Sequence, residues 1–210
     1  MERQSGEPTV ITQRKLLLVE GMDEVSFFTK LLEHLCIKDC QIAEVAGKHN
    51  FADRLPVLVR TPGFSDPSGP CVTHLAIVRD QDNDDAFVSV RKIVEDNKLV
   101  PPERVGTFGN GRPLVGIFIM PGCKVEGTML EDLCLQSVAQ RPAMRCVDSF
   151  SDCVSTLDSA PRIMSKARAL VYLAAQREVV NTIGLGAQKG YWDFDAPCMD
   201  GLKAFLKHLC

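Results

Sequence analysis

Residues 12–36, TQRKLLLVEGMDEVSFFTKLLEHLC, place two different periodicities back to back. Thr12 to Val19 is a β-favouring apolar run that stops at Glu20-Gly21. From Asp23 to Cys36 the apolar residues Val25, Phe28, Leu31, Leu32 and Leu35 return at helical intervals. This is a strand, a turn and a helix, and the unit recurs along the chain. Gln41 to Ala46 reads as a strand and Phe51 to Arg60 as a helix, followed by a Gly/Pro/Ser loop from Pro62 to Pro70. Val72 to Val78 is a strand that runs into RDQDNDD, and Ala86 to Asp96 an amphipathic helix. Past a stretch containing GNGRP, Leu114 to Met120 is a fourth strand and Thr128 to Ala139 a fourth helix. Strands alternating with helices predict an α/β fold with a mostly parallel four-stranded sheet flanked by helices. From Asp148 the strand signal stops. Asp152 to Leu157, Pro161 to Gln176 and Asp200 to Leu209 read as helices separated by IGLGAQKGYWDFD. The expectation is one domain over residues 1–210, with a sheet core over about 10–140 and a helical C-terminal extension over about 148–210.

The composition agrees with a folded chain. Hydrophobic residues make up 45% and charged residues 24% of 210, the averages of a globular protein, which point to neither a disordered chain nor a membrane protein. Lys and Arg number 24 against 27 Asp and Glu, a net charge of -3, so no overall positive field recruits polyanions. No apolar run approaches the roughly 18 residues of a membrane span, and MERQSGEPTV lacks the pattern of a signal peptide, so the expected location is cytoplasmic with no membrane contact. Nine irregularly spaced cysteines are then expected to be reduced and to serve as small buried hydrophobes. Cys36, Cys40 and His34 have no second ligand pair elsewhere, so a structural zinc is not expected.

The chemistry concentrates at strand ends. In an open parallel sheet, ligands bind outside the carboxyl ends of the strands. Glu20 ends the first strand and Asp80 and Asp82 follow the third, so three carboxylates reach one edge. Three acids there repel one another unless a cation compensates. Mg²⁺ or Mn²⁺ suits an all-oxygen set that includes Asp-x-Asp, whose side chains project the same way along an extended chain. Capping of the next helix is the alternative role for these acids, and it is preferred for Asp84 and Asp85. The count from Asp80 excludes an EF-hand, because Asp85 and Arg91 stand where Gly and Glu are required. In GTMLEDLCL, Thr128 and Glu131 have the spacing of a capping box, which leaves Glu131 open between capping and the site, with Asp132 the weaker site candidate. Asp23 reads as N-cap of the first helix.

VEGMDEVSF after one strand and IVRDQDND after another resemble the Toprim domain of primases, topoisomerases and OLD-type nucleases. Closer still is an uncharacterised group of stand-alone Toprim-like proteins related to the OLD group, matched by LLLVEGMDEVSFF, by IFIMPG with GTMLEDLCL, and by KGYWDFDAPCMDGLKAFL. These segments span most of the chain. The resemblance implies a Toprim-like fold in which Glu20, Asp80 and Asp82 hold Mg²⁺ or Mn²⁺ for phosphodiester cleavage of DNA or RNA, with Glu131 beside them. It also implies that Lys166 stabilises charge on the phosphate; a solvated helix lysine is the plainer role for that residue. One departure from the family pattern is Gly122, where an Asp is expected after Met-Pro.

The resulting expectation is a metal-dependent nuclease. The alternative is a non-catalytic metal- or nucleotide-binding module that works through a protein partner. A basic strip of Arg54, Arg60, Arg79, Lys124, Lys166 and Arg168 around the acids separates the two. Tyr172 lies in an apolar helix and neither it nor Tyr191 suits topoisomerase chemistry. Gly184, Gly186 and Gly190 fit no phosphate-loop pattern, and Trp192 is expected to pack against a helix rather than stack a base. The four histidines form no nucleophile triad, though His49 lies near the acidic edge as a substrate contact or general base.

Overall fold

Three apolar strands, β1 (Lys15–Val19), β3 (His74–Asp80) and β5 (Leu114–Met120), form the centre of a sheet in a computed structural model that describes residues 10–47, 50–65, 69–81 and 85–210. The edges are β2 (Cys40–Glu44) and the two-residue β4 (Thr107–Phe108), in the order β2-β1-β3-β5-β4. All pairings are parallel except β4 with β5, which is antiparallel. Register runs straight across the centre: Lys15 opposes His74, and His74 opposes Leu114. The helices are α1 (Met22–His34), α2 (Phe51–Arg60), α3 (Ala86–Asp96), α4 (Leu130–Ser137), α5 (Met144–Val154), α6 (Met164–Ala174), α7 (Ile183–Gln188) and α8 (Asp200–Leu206).

Continuous apolar strands are what a sheet covered on both faces requires. Leu17, Val19, Ala76, Val78, Phe118 and Met120 point to one face. They pack with Phe27 and Phe28 of α1, Leu133 of α4, Leu173 of α6, Ile183 of α7 and Phe205 of α8. The alternate residues Leu16, Leu18, Leu75, Ile77, Val115 and Ile117 pack with Phe51, Leu55 and Leu58 of α2 and with Ala86, Val90 and Val94 of α3. Each buried Val, Leu, Ile, Phe or Met side chain among them contributes about 1.5–3 kcal/mol. Chain order reverses at β1, with β2 on one side and β3 on the other. The switch point therefore lies between the carboxyl ends of β1 and β3, at Glu20 and Asp80.

The sheet has five strands rather than the expected four. The added strand, β4, stacks Phe108 across Gly116, where a Cβ would lie 2.5 Å from the ring. The segment containing IGLGAQ is not only a connector, because α7 forms there and packs against α1; a Cβ on Gly184 would lie 2.7 Å from the Asp23 carbonyl oxygen. The fifth helix runs over Met144–Val154, earlier than Asp152 to Leu157, with Met144 and Val147 buried at helical spacing. Most cysteines are not buried hydrophobes. Cys134 is buried, Cys40 and Cys198 are half-buried, and the other six are exposed. Two of those six, Cys36 and Cys71, have positive φ and lie outside the periodic apolar faces. No described helix is long and apolar enough to cross a membrane.

Candidate functional site

Asp80 is the last residue of β3, and the pleat directs it to the same face as Val78. Its backbone amide donates to Glu20 Oε1 (3.0 Å), which fixes the carboxylate that follows β1. Its own Oδ1 accepts from the Leu130 amide (3.0 Å) at the first residue of α4, where an unpaired amide and the helix dipole favour an anion. The buried guanidinium of Arg79 also lies near Glu20, with Nε 3.9 Å from the same Oε1.

Electrostatics define the rest of the cluster. Burial pushes the Asp80 carboxyl up to about 8, and the charges of Glu20, Glu131 and Glu24 push in the same direction. Glu24 is also raised, first by burial and then by Asp23 and Glu131. Glu24 is a member of the cluster that sequence reasoning missed. The available signal was its place four residues after Glu20, one turn into the helix that the Glu-Gly turn opens.

A one-residue offset at α4 settles the division of labour between two adjacent acids. The helix begins at Leu130, so Asp132 rather than Glu131 occupies the capping position. Its Oδ2 accepts from the amides of Thr128 (2.8 Å) and Met129 (3.2 Å). The expected Thr128–Glu131 box does not form. Glu131 instead turns to Lys166 on α6, with Nζ 3.4 Å from Oε1. Lys166 is thus paired at the acidic cluster while about half exposed; burial is the largest single influence on its ammonium and lowers the pKa, but Glu131, Asp80 and Glu24 together outweigh it and raise the pKa. Asp23 does not cap its own helix. Its two oxygens accept from the Ile183 (2.9 Å) and Gly184 (2.6 Å) amides and hold α7 against α1.

Asp82, Asp84 and His49 lie outside the described residues. Asp85 caps α3 through the Val88 amide (3.1 Å), as expected. Of the basic strip, Arg79 and Lys166 are at the acids, whereas Arg168 is tied to Asp148 (2.8 Å). Arg54 and Arg60 lie on α2 and Lys124 in the loop after β5. Trp192 stacks on Tyr172 (5.1 Å), donates to the Ile183 carbonyl (2.9 Å), and is buried with it in the core. Gly122 has φ of 99°, and a Cβ there would lie 3.1 Å from the Phe118 ring, so the loop geometry itself disfavours an aspartate at this position.

The donors at this edge are all carboxylate oxygens, the class that hard divalent cations take. Among the described residues no group of three or more His, Cys, Asp or Glu side chains is gathered tightly enough to hold an ion. The residues fit an ion that keeps most of its water and takes one or two protein carboxylates, with Glu20 and Asp80 as the linked pair.

A family model described as a protein of unknown function, DUF3226, matches residues 14–210. The chain belongs to that family. No curated protein matches this DUF3226 chain. Among solved structures, it is similar to the C-terminal region of the Burkholderia pseudomallei OLD protein, with 15% identity, 95% of this chain and 100% of that one covered, and a TM-score of 0.51. The C-terminal region of the Xanthomonas campestris pv. campestris OLD protein also matches, with 15% identity, 93% of each chain covered and a TM-score of 0.42. The first of these likenesses shows a shared fold.

Proposed function

We propose that this DUF3226 chain is a Toprim-like, Mg²⁺- or Mn²⁺-dependent phosphodiester hydrolase acting on nucleic acid. The observation that carries the reading is Asp80, whose carboxyl is pushed up to about 8 by burial and by Glu20, Glu131 and Glu24 at the sheet's switch point. Carboxylates crowded to this degree, with Arg79 and Lys166 offsetting only part of their charge, mark functional sites more often than structural ones. The fold shared with the OLD C-terminal region and the order of the Glu and Asp-x-Asp segments support the same reading.

In this reading Glu20 and Asp80 hold the ion, with Asp82 following Asp80, and Glu24 and Glu131 add negative charge around it. Bound Mg²⁺ or Mn²⁺ supplies a water of lowered pKa and neutralises charge on the scissile phosphate. The Asp80 amide and the Leu130 amide fix the two carboxylates before substrate arrives. Lys166, half exposed above Glu131, meets the phosphate and stabilises the charge that develops on it.

The test is cleavage of single- and double-stranded DNA and RNA with Mg²⁺ or Mn²⁺ by wild type, Glu20→Gln and Asp80→Asn. Each variant is expected to lose activity by on the order of 10²–10³-fold. Equal activity in the variants, or none in a folded wild type that binds Mn²⁺, would sink the hydrolase reading; the second outcome leaves a binding module.

A further inference from the structure

The opposite end of the sheet carries a second constellation that the acidic site does not use. A cavity of about 470 Å³ opens where the chain enters β1, β3 and β5, and Arg14, Thr73, His74, Asn110 and Arg112 contribute its polar lining. Among the described residues no carboxylate lines it. Both guanidiniums are exposed, and neither has a carboxylate partner among the described residues. This is a local cationic site on a chain of net charge -3.

The frame of the cavity is fixed by backbone. The Thr73 amide donates to the Arg14 carbonyl (2.7 Å), and the Leu114 amide donates to the Thr73 carbonyl (2.9 Å). The Thr73 hydroxyl also bonds the Arg14 carbonyl (3.2 Å) and lies 3.0 Å from His74 Nδ1. Because β3 lies between β1 and β5, Arg14 and Arg112 rise from either side of Thr73, with their strands two inter-strand spacings, or about 10 Å, apart. Both arginines line the same cavity, and a guanidinium fork matches two phosphate oxygens. His74 is held toward its neutral form, first by burial and then by Lys15 and His208, so it offers hydrogen bonding rather than a third charge.

We propose that this cavity is a second ligand site, separate from the acidic edge, that takes a small phosphate monoester, with Arg14 and Arg112 gripping the phosphate and Asn110 and His74 beside its organic part. Two cations answer a doubly charged terminal phosphate, whereas a polynucleotide needs a track of cations along its length. The volume exceeds that needed for phosphate alone and lies within the range of small-ligand pockets. Buried Val72 supplies an apolar wall.

The test titrates the full chain in chloride buffer with inorganic phosphate, 5′-AMP, adenosine and a dinucleotide diester, read by calorimetry and by amide chemical shifts. AMP is expected to bind more tightly than phosphate, to move the Thr73, His74 and Asn110 amides, and to leave those of Glu20 and Asp80 in place. Adenosine and the diester are expected not to bind. Arg14→Gln and Arg112→Gln should each weaken AMP binding on the order of tenfold while the melting temperature holds. The inference is overturned by no AMP binding at millimolar concentration, by AMP no tighter than phosphate, by a diester that binds equally, by shifts mapped to the acidic edge, or by affinity that survives the double variant. None of these outcomes depends on whether the chain cleaves nucleic acid.

Discussion

The same three strands carry opposite chemistry at their two ends. At the carboxyl end, Glu20 and Asp80 are tied to each other and to α4, with Glu24 and Glu131 close enough to raise the Asp80 carboxyl to about 8. At the amino end, Arg14 and Arg112 stand exposed over a cavity with no carboxylate in its wall among the described residues. What separates the two ends is burial more than charge. Water screens exposed guanidiniums, so leaving them unpaired costs the fold little. Crowded carboxylates at the end of a buried strand cannot be screened that way, and the fold keeps them at a cost in stability, as functional sites tend to do.

The largest expected effect tests that cost. Asp80 has a folded pKa near 8 against an ordinary 3.8, so the folded state retains a proton that the unfolded state loses. This stability is complete below about pH 4 and is lost as pH rises through about 8, with a slope of about 1.4 kcal/mol per pH between those two values. Chemical denaturation in EDTA should show metal-free wild type losing several kcal/mol over that range, and Asp80→Asn with much of the slope removed. A wild-type curve that is flat or rises toward pH 8 would break the comparison at its source.

A finer test lies within one turn of α4. Asp132 satisfies two amides at the start of the helix, whereas Glu131 faces Lys166 and the acids. Asp132→Ala is expected to cost about 1 kcal/mol of stability and to leave Mn²⁺-dependent cleavage near wild type. Glu131→Gln is expected to do the reverse, with cleavage falling and unfolding free energy moving by less than about 0.5 kcal/mol, since its partner Lys166 is half exposed. Equilibrium unfolding and cleavage rates on both variants check this; equal losses of both properties in both variants would erase the division.

Much of this was legible in the sequence, and the failures share a cause. Phe51–Arg60 and Ala86–Asp96 are helices at the residues read from their patterns, because their apolar faces repeat cleanly against one side of the sheet. Glu20 and Asp80 stand where an apolar run stops, a local signal that tertiary packing does not override. By contrast α7 was hidden because glycine has poor helix propensity, and Gly184 is there to let α7 approach α1, a reason that lives in another part of the chain. Glu24 was hidden because membership in the cluster depends on where α1 docks, not on its neighbours in sequence. The capping exchange between Glu131 and Asp132 turned on one residue of helix boundary, a difference smaller than periodicity resolves.

The smallest expected effect is at the amino end, and its sign is opposite. The hydrogen bond from Lys15 holds the Asp39 carboxyl below its usual value, and the pair is 2.7 Å apart with the Asp39 side chain 62% exposed. A lowered acid pKa gives stability that is present above the unfolded value, near 3.8, and is lost as pH falls through the folded one. Exposure and salt screening limit the pair to under about 1 kcal/mol. Asp39→Asn should therefore lower stability slightly at pH 7 and flatten the acid limb of the pH profile, where Asp80→Asn flattens the alkaline one. Because Asp39 is a carboxylate at the same end of the sheet as Arg14 and Arg112, its removal should also tighten AMP binding by up to about fivefold at low salt and by almost nothing at high salt. Tighter binding that persists in high salt would mean that Asp39 acts through local packing, and the amino end would then not be the solvent-screened counterpart of the acidic edge.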